Sequence, residues 1–240
     1  GLFHIDQRLA SCKFRVVLKL IHNGMAGKWA IAQRLELWWW KCYLRNTPPA
    51  DYLQWKTDYW NTLLAQLPVV IWPPSSSTIL EVGCGPAGCF IALPDYRIHA
   101  VDPLLDRYAQ TLPHFHPTQW PQVEFDSRCI EQPLHERQYP LVLTFNAINH
   151  VKDWSKALQQ LGRHTQPGGW LVLSSDVHRY RALRQLFRLL PADALHPQQH
   201  TAAEYRAALC SHGFTLYWEK VYKPGSVFDY WIVVAQKNPA

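Results

Sequence analysis

TILEVGCGPAG, residues 78–88, decides how this chain is read. A short run of apolar and β-forming residues leads into Gly83, Gly85 and Gly88, which fit the pattern G-x-G-x-x-G. A buried strand that breaks into such a turn and then opens a helix brings main-chain amides against a nucleotide-like ligand. Glycine has no Cβ, so the chain turns sharply and a ligand can lie directly on the backbone. More than one class of nucleotide-cofactor enzyme uses this turn, so alone it does not name the chemistry. It does place that chemistry at the C-terminal edge of the strand.

Downstream, residues 97–102 (RIHAVD), 122–125, 141–145 (LVLTF) and 170–174 (WLVLS) read as four further strands. Helices are expected from near Gly88, over 104–112 and over 154–164. Alternation of this kind gives a parallel sheet with right-handed crossovers. Thr201 and Glu204 form a capping box that opens a helix ending at Gly213. Residues 214–222 and 228–236, joined only by a short KPGS connection, must pair as an antiparallel hairpin. The expected fold is therefore α/β, a doubly wound seven-stranded sheet, mostly parallel, that closes with an antiparallel hairpin.

Upstream the pattern is helical. Residues 14–20 read as one helix, broken by Asn23-Gly24 and Gly27. Trp29, Ala32, Leu35, Trp39 and Cys42 then mark an amphipathic second helix, and Tyr52, Trp55, Tyr59 and Leu63 a third over 51–67, stopped by Pro68. WPPSSS, residues 72–77, is a linker. The domain reading is an N-terminal helical cap over 1–74 and a Rossmann-like domain over 75–240, with a lid insertion at about 177–200. In the lid, Leu183, Leu186, Phe187 and Leu190 form an apolar stripe, with arginines mostly off it. Seven of the 12 tryptophans stand in the first 72 residues. They suit aromatic packing of the cap, an apolar substrate pocket, or a basic amphipathic surface for membrane lipid.

Composition narrows the class. The 240 residues, 48% apolar and 18% charged, suffice for one large domain or one with a small appendage. Nine Lys/Arg against four Asp/Glu up to Trp72 put +5 of the formal +6 in the first third. This admits an anionic partner there but falls short of a dense basic face, so a nucleic-acid partner is not expected. Six scattered cysteines without C-x-x-C spacing point to a reducing cytoplasm. No apolar run approaches the roughly 20 residues of a membrane span, which leaves peripheral membrane contact only. His114 with His116, and His196 with His200, have no cysteine or carboxylate beside them to complete a ligand set, so no metal site is expected.

Asp102 ends the second strand, where a carboxylate can accept hydrogen bonds from both ribose hydroxyls; an aspartate before Pro103 is also a good turn former. Glu81 precedes the first glycine to give E-x-G-x-G, Gln166-Pro-Gly-Gly169 introduces the fifth strand, and a hairpin closes the sheet. In this order and spacing, residues 78–237 resemble the class I S-adenosylmethionine-dependent methyltransferases. The resemblance implies that Gly83, Cys84 and Gly85, with Glu81 beside them, pass under the methionine part of S-adenosyl-L-methionine. It places Asp102 and Pro103 at the ribose and Cys129 and Ile130, within the loop 127–131, beside the adenine. Arg128 stands near where the family carries an acid, and Asp126 just before it. Asn146 would lie near the methionine group, and Tyr59 or Trp60 would reach the cofactor's carboxylate end from the cap.

The implied activity is in-line methyl transfer to a small-molecule or lipid-linked acceptor, in which the protein aligns the reactants and removes a proton where the acceptor carries one. His150 is the first candidate base, because histidine titrates near neutrality and this one emerges at a strand edge. Asp176 and His178, leaving the fifth strand, are second candidates. Two alternatives stand beside this reading. One is an NAD(P)-dependent oxidoreductase, which the glycine pattern and Asp102 fit equally well; the other is a cofactor-binding partner subunit without catalysis.

Overall fold

The computed structural model describes residues 28–132, 134, 136–178, 200–225 and 228–239. The helix expected over 14–20 and the lid helix lie outside the described residues. Seven strands form one sheet: β1 (Thr78–Val82), β2 (Arg97–Val101), β3 (Val123–Asp126), β4 (Tyr139–Phe145), β5 (Thr165–His178), β6 (Phe214–Lys223) and β7 (Phe228–Lys237). Their order is β3-β2-β1-β4-β5-β7-β6. The first five are parallel, and β7 runs antiparallel between β5 and β6. The fold class read from the sequence is the one observed. β5 begins earlier than expected: Gln166-Pro-Gly-Gly169 lies inside it, with Gly168 at φ +75° and a register irregularity opposite Tyr139 and Leu141.

Strands β1, β2 and β4 are nearly continuous apolar runs because both faces of the sheet are covered. Successive side chains point to opposite faces, so each strand feeds two cores. Helices α1 (Lys28–Leu44), α2 (Pro49–Leu64) and α3 (Leu105–Thr111) lie with the first core, and α4 (Trp154–His164) and α5 (Ala202–Ser211) with the second. In the first, Tyr52, Trp60 and Leu63 of α2 join Phe90, Tyr108, Phe115, Leu141 and Leu143. In the second, Leu158 and Leu161 of α4 and Leu209 of α5 meet Leu80, Val142, Leu171 and Val233. Burial of each such side chain is worth about 1.5–3 kcal/mol. α2 begins with proline in its first turn, α4 is capped by Asp153 accepting from the Lys156 N–H, and α5 by the Thr201–Glu204 capping box. Among the described residues no helix is long and apolar enough to cross a membrane.

The helix expected from Gly88 does not form. A single 3-10 turn, Cys89–Ala92, takes its place. Pro94 follows closely and disfavours helical geometry at Leu93, leaving too few residues to nucleate a helix. Glu81 fixes the turn instead. Its carboxylate accepts hydrogen bonds from the N–H of Cys89 at 2.7 Å and of Phe90 at 3.0 Å. α2 packs on this turn, and Trp60 donates its indole N–H to the Ala87 carbonyl at 3.0 Å. Lys56 of α2, only 7% exposed, brings its ammonium 4.9 Å from the Trp60 ring centre. Burial pushes that ammonium down to about 8, against the charge of Glu81, which supports it.

Burial likewise raises the Glu81 carboxyl from 4.5 to about 7, opposed by its hydrogen bonds to Cys89 and Phe90. An acid whose pKa is higher in the folded chain holds its proton longer there. Its relative contribution to stability is full below about pH 4.5 and is lost as the pH rises through about 7. Glu81→Gln keeps one acceptor and leaves one buried N–H unpaired, so denaturant unfolding should show a loss of about 1–3 kcal/mol and a shallower fall in stability between those pH values. An unchanged unfolding midpoint would remove Glu81 from this role.

Candidate active site

The strand order reverses between β1 and β4, and a crevice opens beyond the C-terminal ends of strands at such a point. There the described residues line a partly open cavity of about 110 Å3. Its wall is made by Gly83 and Gly85 of the turn, Asp102 and Pro103 after β2, and Arg128, Cys129, Ile130 and Glu131 after β3. Thr144, Asn146, Ala147, Ile148 and His150 line it from the end of β4 and beyond, and Gln33 and Glu36 from α1.

The three glycines serve different ends. Gly83, at φ +71°, lies so near Ala147 that a Cβ on it would stand 2.0 Å from the Ala147 Cβ. Gly85 adopts φ +57°. At Gly88 a Cβ would fall 2.3 Å from Glu81 Oε1, so this glycine makes room for the carboxylate that holds the turn. Asp102 is buried and accepts from the Gly85 N–H at 3.0 Å and the Leu104 N–H at 2.8 Å, one bond on each oxygen. Burial raises its carboxyl above the usual range, and those two N–H groups work against the rise.

Asn146 adopts φ +50°, a left-handed conformation that costs a non-glycine residue energy. Its N–H donates to both the carbonyl and the hydroxyl of Ser174, each at 3.0 Å, and the Ser174 hydroxyl is in turn 2.7 Å from that of Tyr230. β5 and β7 thus hold Asn146 in place from behind. Asn146 Oδ1, Thr144 Oγ1 and Gln33 Nε2 are buried without a hydrogen-bond partner. His150 ends the 3-10 turn Ile148–His150 and faces the same cavity.

At the end of β3, Asp126 is turned away from the cavity. Its carboxylate takes the Arg128 guanidinium in a fork, with Nε at 2.7 and 2.9 Å and Nη2 on Oδ2, and lies 3.4 Å from His99 Nε2. Burial opposes its ionisation, but the hydrogen bonds and charge of Arg128 outweigh it and hold the carboxyl below the usual range. Arg128, not Asp126, therefore lines the cavity.

Several residues assigned to the site from the sequence sit elsewhere. The Glu81 side chain is spent on the 3-10 turn, and Cys84 is buried in the first core with its N–H directed at the Val101 carbonyl. Trp60 packs on Phe145, and Tyr59 lies against Trp60 and the Lys223 ammonium; neither lines the cavity. Asp176 pairs in register with Tyr230 one strand further on, outside the cavity wall. The side chain of His178 lies outside the described residues. His114 donates to the Thr47 carbonyl at 2.7 Å and packs edge-on against Tyr52, which fixes the loop between α1 and α2. Gln33 and Glu36 were missed because they lie on the polar side of the aromatic stripe of α1. Their spacing with Trp40, three and then four, was the available signal.

In comparisons with known proteins, the methyltransferase domain matches residues 52–218. The chain belongs to the class I S-adenosylmethionine-dependent methyltransferase family. This sets aside the nicotinamide alternative. No curated protein matches the methyltransferase in sequence. Among solved structures it resembles the N-methyltransferase NodS from Bradyrhizobium japonicum in complex with S-adenosyl-L-homocysteine, with TM-score 0.55, 16% identity, and coverage of 82% of this chain and 91% of that one. YcgJ from Bacillus subtilis gives TM-score 0.56 at 13% identity over 76% of this chain and all of the other. The [4+2]-cyclase SpnF gives 0.57 at 12% identity over 77% and 81%. Likeness at these identities is a likeness of fold, and a cyclase among the neighbours shows that the fold alone does not fix the reaction.

The residues of the methyltransferase fit the family's cofactor. A glycine floor admits close approach, Asp102 keeps acceptor capacity beyond its two backbone bonds, and three buried polar atoms await partners. Gly83→Ala should both collide with Ala147 and force alanine into a left-handed conformation. The expected result is a lower melting temperature and loss of S-adenosylhomocysteine binding in calorimetry. Adding Ala147→Gly relieves the collision but not the backbone cost of about 1–2 kcal/mol, so recovery should be partial. Wild-type behaviour of Gly83→Ala would contradict the close approach.

Proposed function

We propose that the chain transfers a methyl group to a small-molecule or lipid-linked acceptor, with His150 as the base where the acceptor must lose a proton. The observation that carries this reading is a cavity at the strand reversal in which the glycine turn, Asp102, Asn146 and His150 converge under a helix of the aromatic cap. When bound, S-adenosylmethionine supplies a methyl carbon already activated by its sulfonium. The chain's own part is then alignment, exclusion of water and proton removal. Asp102 accepts hydrogen bonds from sugar hydroxyls, the unpartnered Asn146 Oδ1 accepts from the amino-acid end, and α1 keeps water out of the cavity. His150, on a turn that Asn146 and Ile148 anchor, takes the acceptor's proton on a ring nitrogen.

The acceptor class is supported by the surroundings of the site. Trp39 stacks on Tyr43, Trp40 meets Tyr52 and Tyr108 edge-on, and the α1 residues that line the cavity are Gln33 and Glu36, so the cover is an aromatic helix with a neutral and acidic inner face and not a cationic groove. A methyl-labelled cofactor offered to a mixture of RNA, small metabolites and lipid should deliver label to the organic-soluble or small-molecule fraction. Label recovered mainly in RNA would overturn this reading.

Asp102→Ala should weaken S-adenosylhomocysteine binding at least about tenfold, the loss of one charged hydrogen bond or more. His150→Gln should lower turnover about 100-fold or more while changing that affinity little. Equal turnover would remove His150 from the mechanism. A wild-type protein that binds the cofactor tightly yet transfers no methyl group to any fraction would favour the partner-subunit alternative.

A further inference from the structure

Gln33, Glu36 and Trp40 form one stripe on α1 that looks into the cofactor cavity. Gln33 and Glu36 line it, and Trp40 Cζ2 would stand 3.8 Å from a Cβ on Gly85. Glu36 is the notable member, because it brings a further carboxyl into a space that already holds Asp102 and Glu131. Two carboxylates in one narrow, partly buried cavity repel each other unless donors lie between them. Glu36 has few donors of its own. The hydroxyl of Tyr108, a fully buried residue of α3, is 3.5 Å from Glu36 Oε1, which is long for an O–H···O bond, and the Trp40 indole contributes from the same helix. Asp102 has one backbone N–H on each oxygen and so keeps acceptor capacity on both.

The other charged or titratable groups around the cavity do not resolve this pair. Arg128, from the loop after β3, is forked onto Asp126. Glu131, from the same loop, accepts the N–H groups of Lys152 and Asp153. Cys129 and His150 complete the wall, and the buried Cys84 lies behind the turn. The cavity is also small with α1 in place, about 110 Å3 against roughly 300–1,000 Å3 for sites that enclose a small molecule. An outward shift of α1, the wall that a single helix contributes, would make the room a nucleoside needs.

We propose that Glu36 is a cofactor-contacting residue: with Asp102 it accepts the hydrogen bonds of a nucleoside's vicinal hydroxyls, so that α1 closes over the site only on a ligand that carries them. This rests on the cofactor reading above and extends it to the cap. Gln33, whose Nε2 has no partner, closes the same side with a donor for the ligand. The ionisation of the pair agrees. Burial first, and the charge of Asp102 second, raise the Glu36 carboxyl far above its usual range, so without a ligand it keeps its proton near neutrality. Hydroxyl donors favour the ionised pair, so binding releases a proton and affinity rises with pH through the neutral range.

The test uses the full chain and S-adenosylhomocysteine in calorimetry, with an analogue lacking both sugar hydroxyls as a second probe and amide exchange on α1 as an independent readout. Glu36→Gln should unfold no more easily than the wild type and lower affinity for S-adenosylhomocysteine roughly 10- to 100-fold. The difference between wild type and variant should shrink with the analogue. The rise of affinity with pH should flatten in the variant, and the protection that ligand confers on α1 amides should diminish. Equal affinity of wild type and Glu36→Gln, or an equal loss on both ligands, overturns the role of Glu36 while leaving the cofactor reading intact. Failure of the wild type to bind S-adenosylhomocysteine overturns the cofactor reading, and this inference with it.

Discussion

The carboxylate of Glu81, seated on the N–H groups of Cys89 and Phe90, is the contact on which the architecture around the site depends. A connection between parallel strands ordinarily carries a helix whose backbone satisfies itself. Here the chain between β1 and β2 has a single 3-10 turn, and a side chain of β1 supplies the acceptor that a preceding helical turn would have provided. Gly88 is required beneath it because any Cβ would meet that carboxylate. The surface left uncovered by the short connection is taken by α2, which brings Tyr52, Trp60 and Leu63 into the first core. The N-terminal helices therefore share a core with the sheet, and the family match begins at residue 52, inside α2.

That arrangement shapes the site. With α2 anchored on the glycine turn and the loop before it held by His114 on Thr47, α1 is carried across the C-terminal ends of the strands. It arrives with Gln33 and Glu36 on the face that meets Asp102 and the turn. On the far side, Ser174 and Tyr230 hold Asn146 in a conformation that only a surrounding network can maintain. The cavity is thus built between a rigid wall, made of strand ends and the left-handed residues Gly83, Gly85 and Asn146, and a wall contributed by one helix. The first is suited to positioning a ligand, the second to closing on it.

Much of this was legible in the residues. Apolar runs bounded by turn formers mark the strands, the Thr201–Glu204 pair marks the start of α5, and the short KPGS connection forces the final hairpin. Gly83, Gly85, Asp102, Pro103, Cys129, Ile130, Asn146 and His150 all reach the cavity, because each follows directly on a strand whose end the topology fixes. Pro94 stands too close behind Gly88 for a helix to follow, and the glycine pattern by itself does not distinguish a helix from a single turn.

What the sequence by itself determined is the set of local conformations and the order of elements: period-two and period-3.6 patterns, glycines where φ is positive, and caps where helices begin. Those properties depend on neighbours a few residues away, so the linear order contains them. Only the tertiary structure decided which way bifunctional side chains turned. Glu81 and Asp102 are both carboxylates next to the glycine turn and each accepts two backbone N–H groups, yet one is sealed in the core beneath α2 and the other lines the cavity. Asp126 is withdrawn by Arg128, and Glu36 enters from a helix distant in sequence. A carboxylate goes where donors and burial leave it the lower energy, and those donors come from segments brought together only when the two cores close.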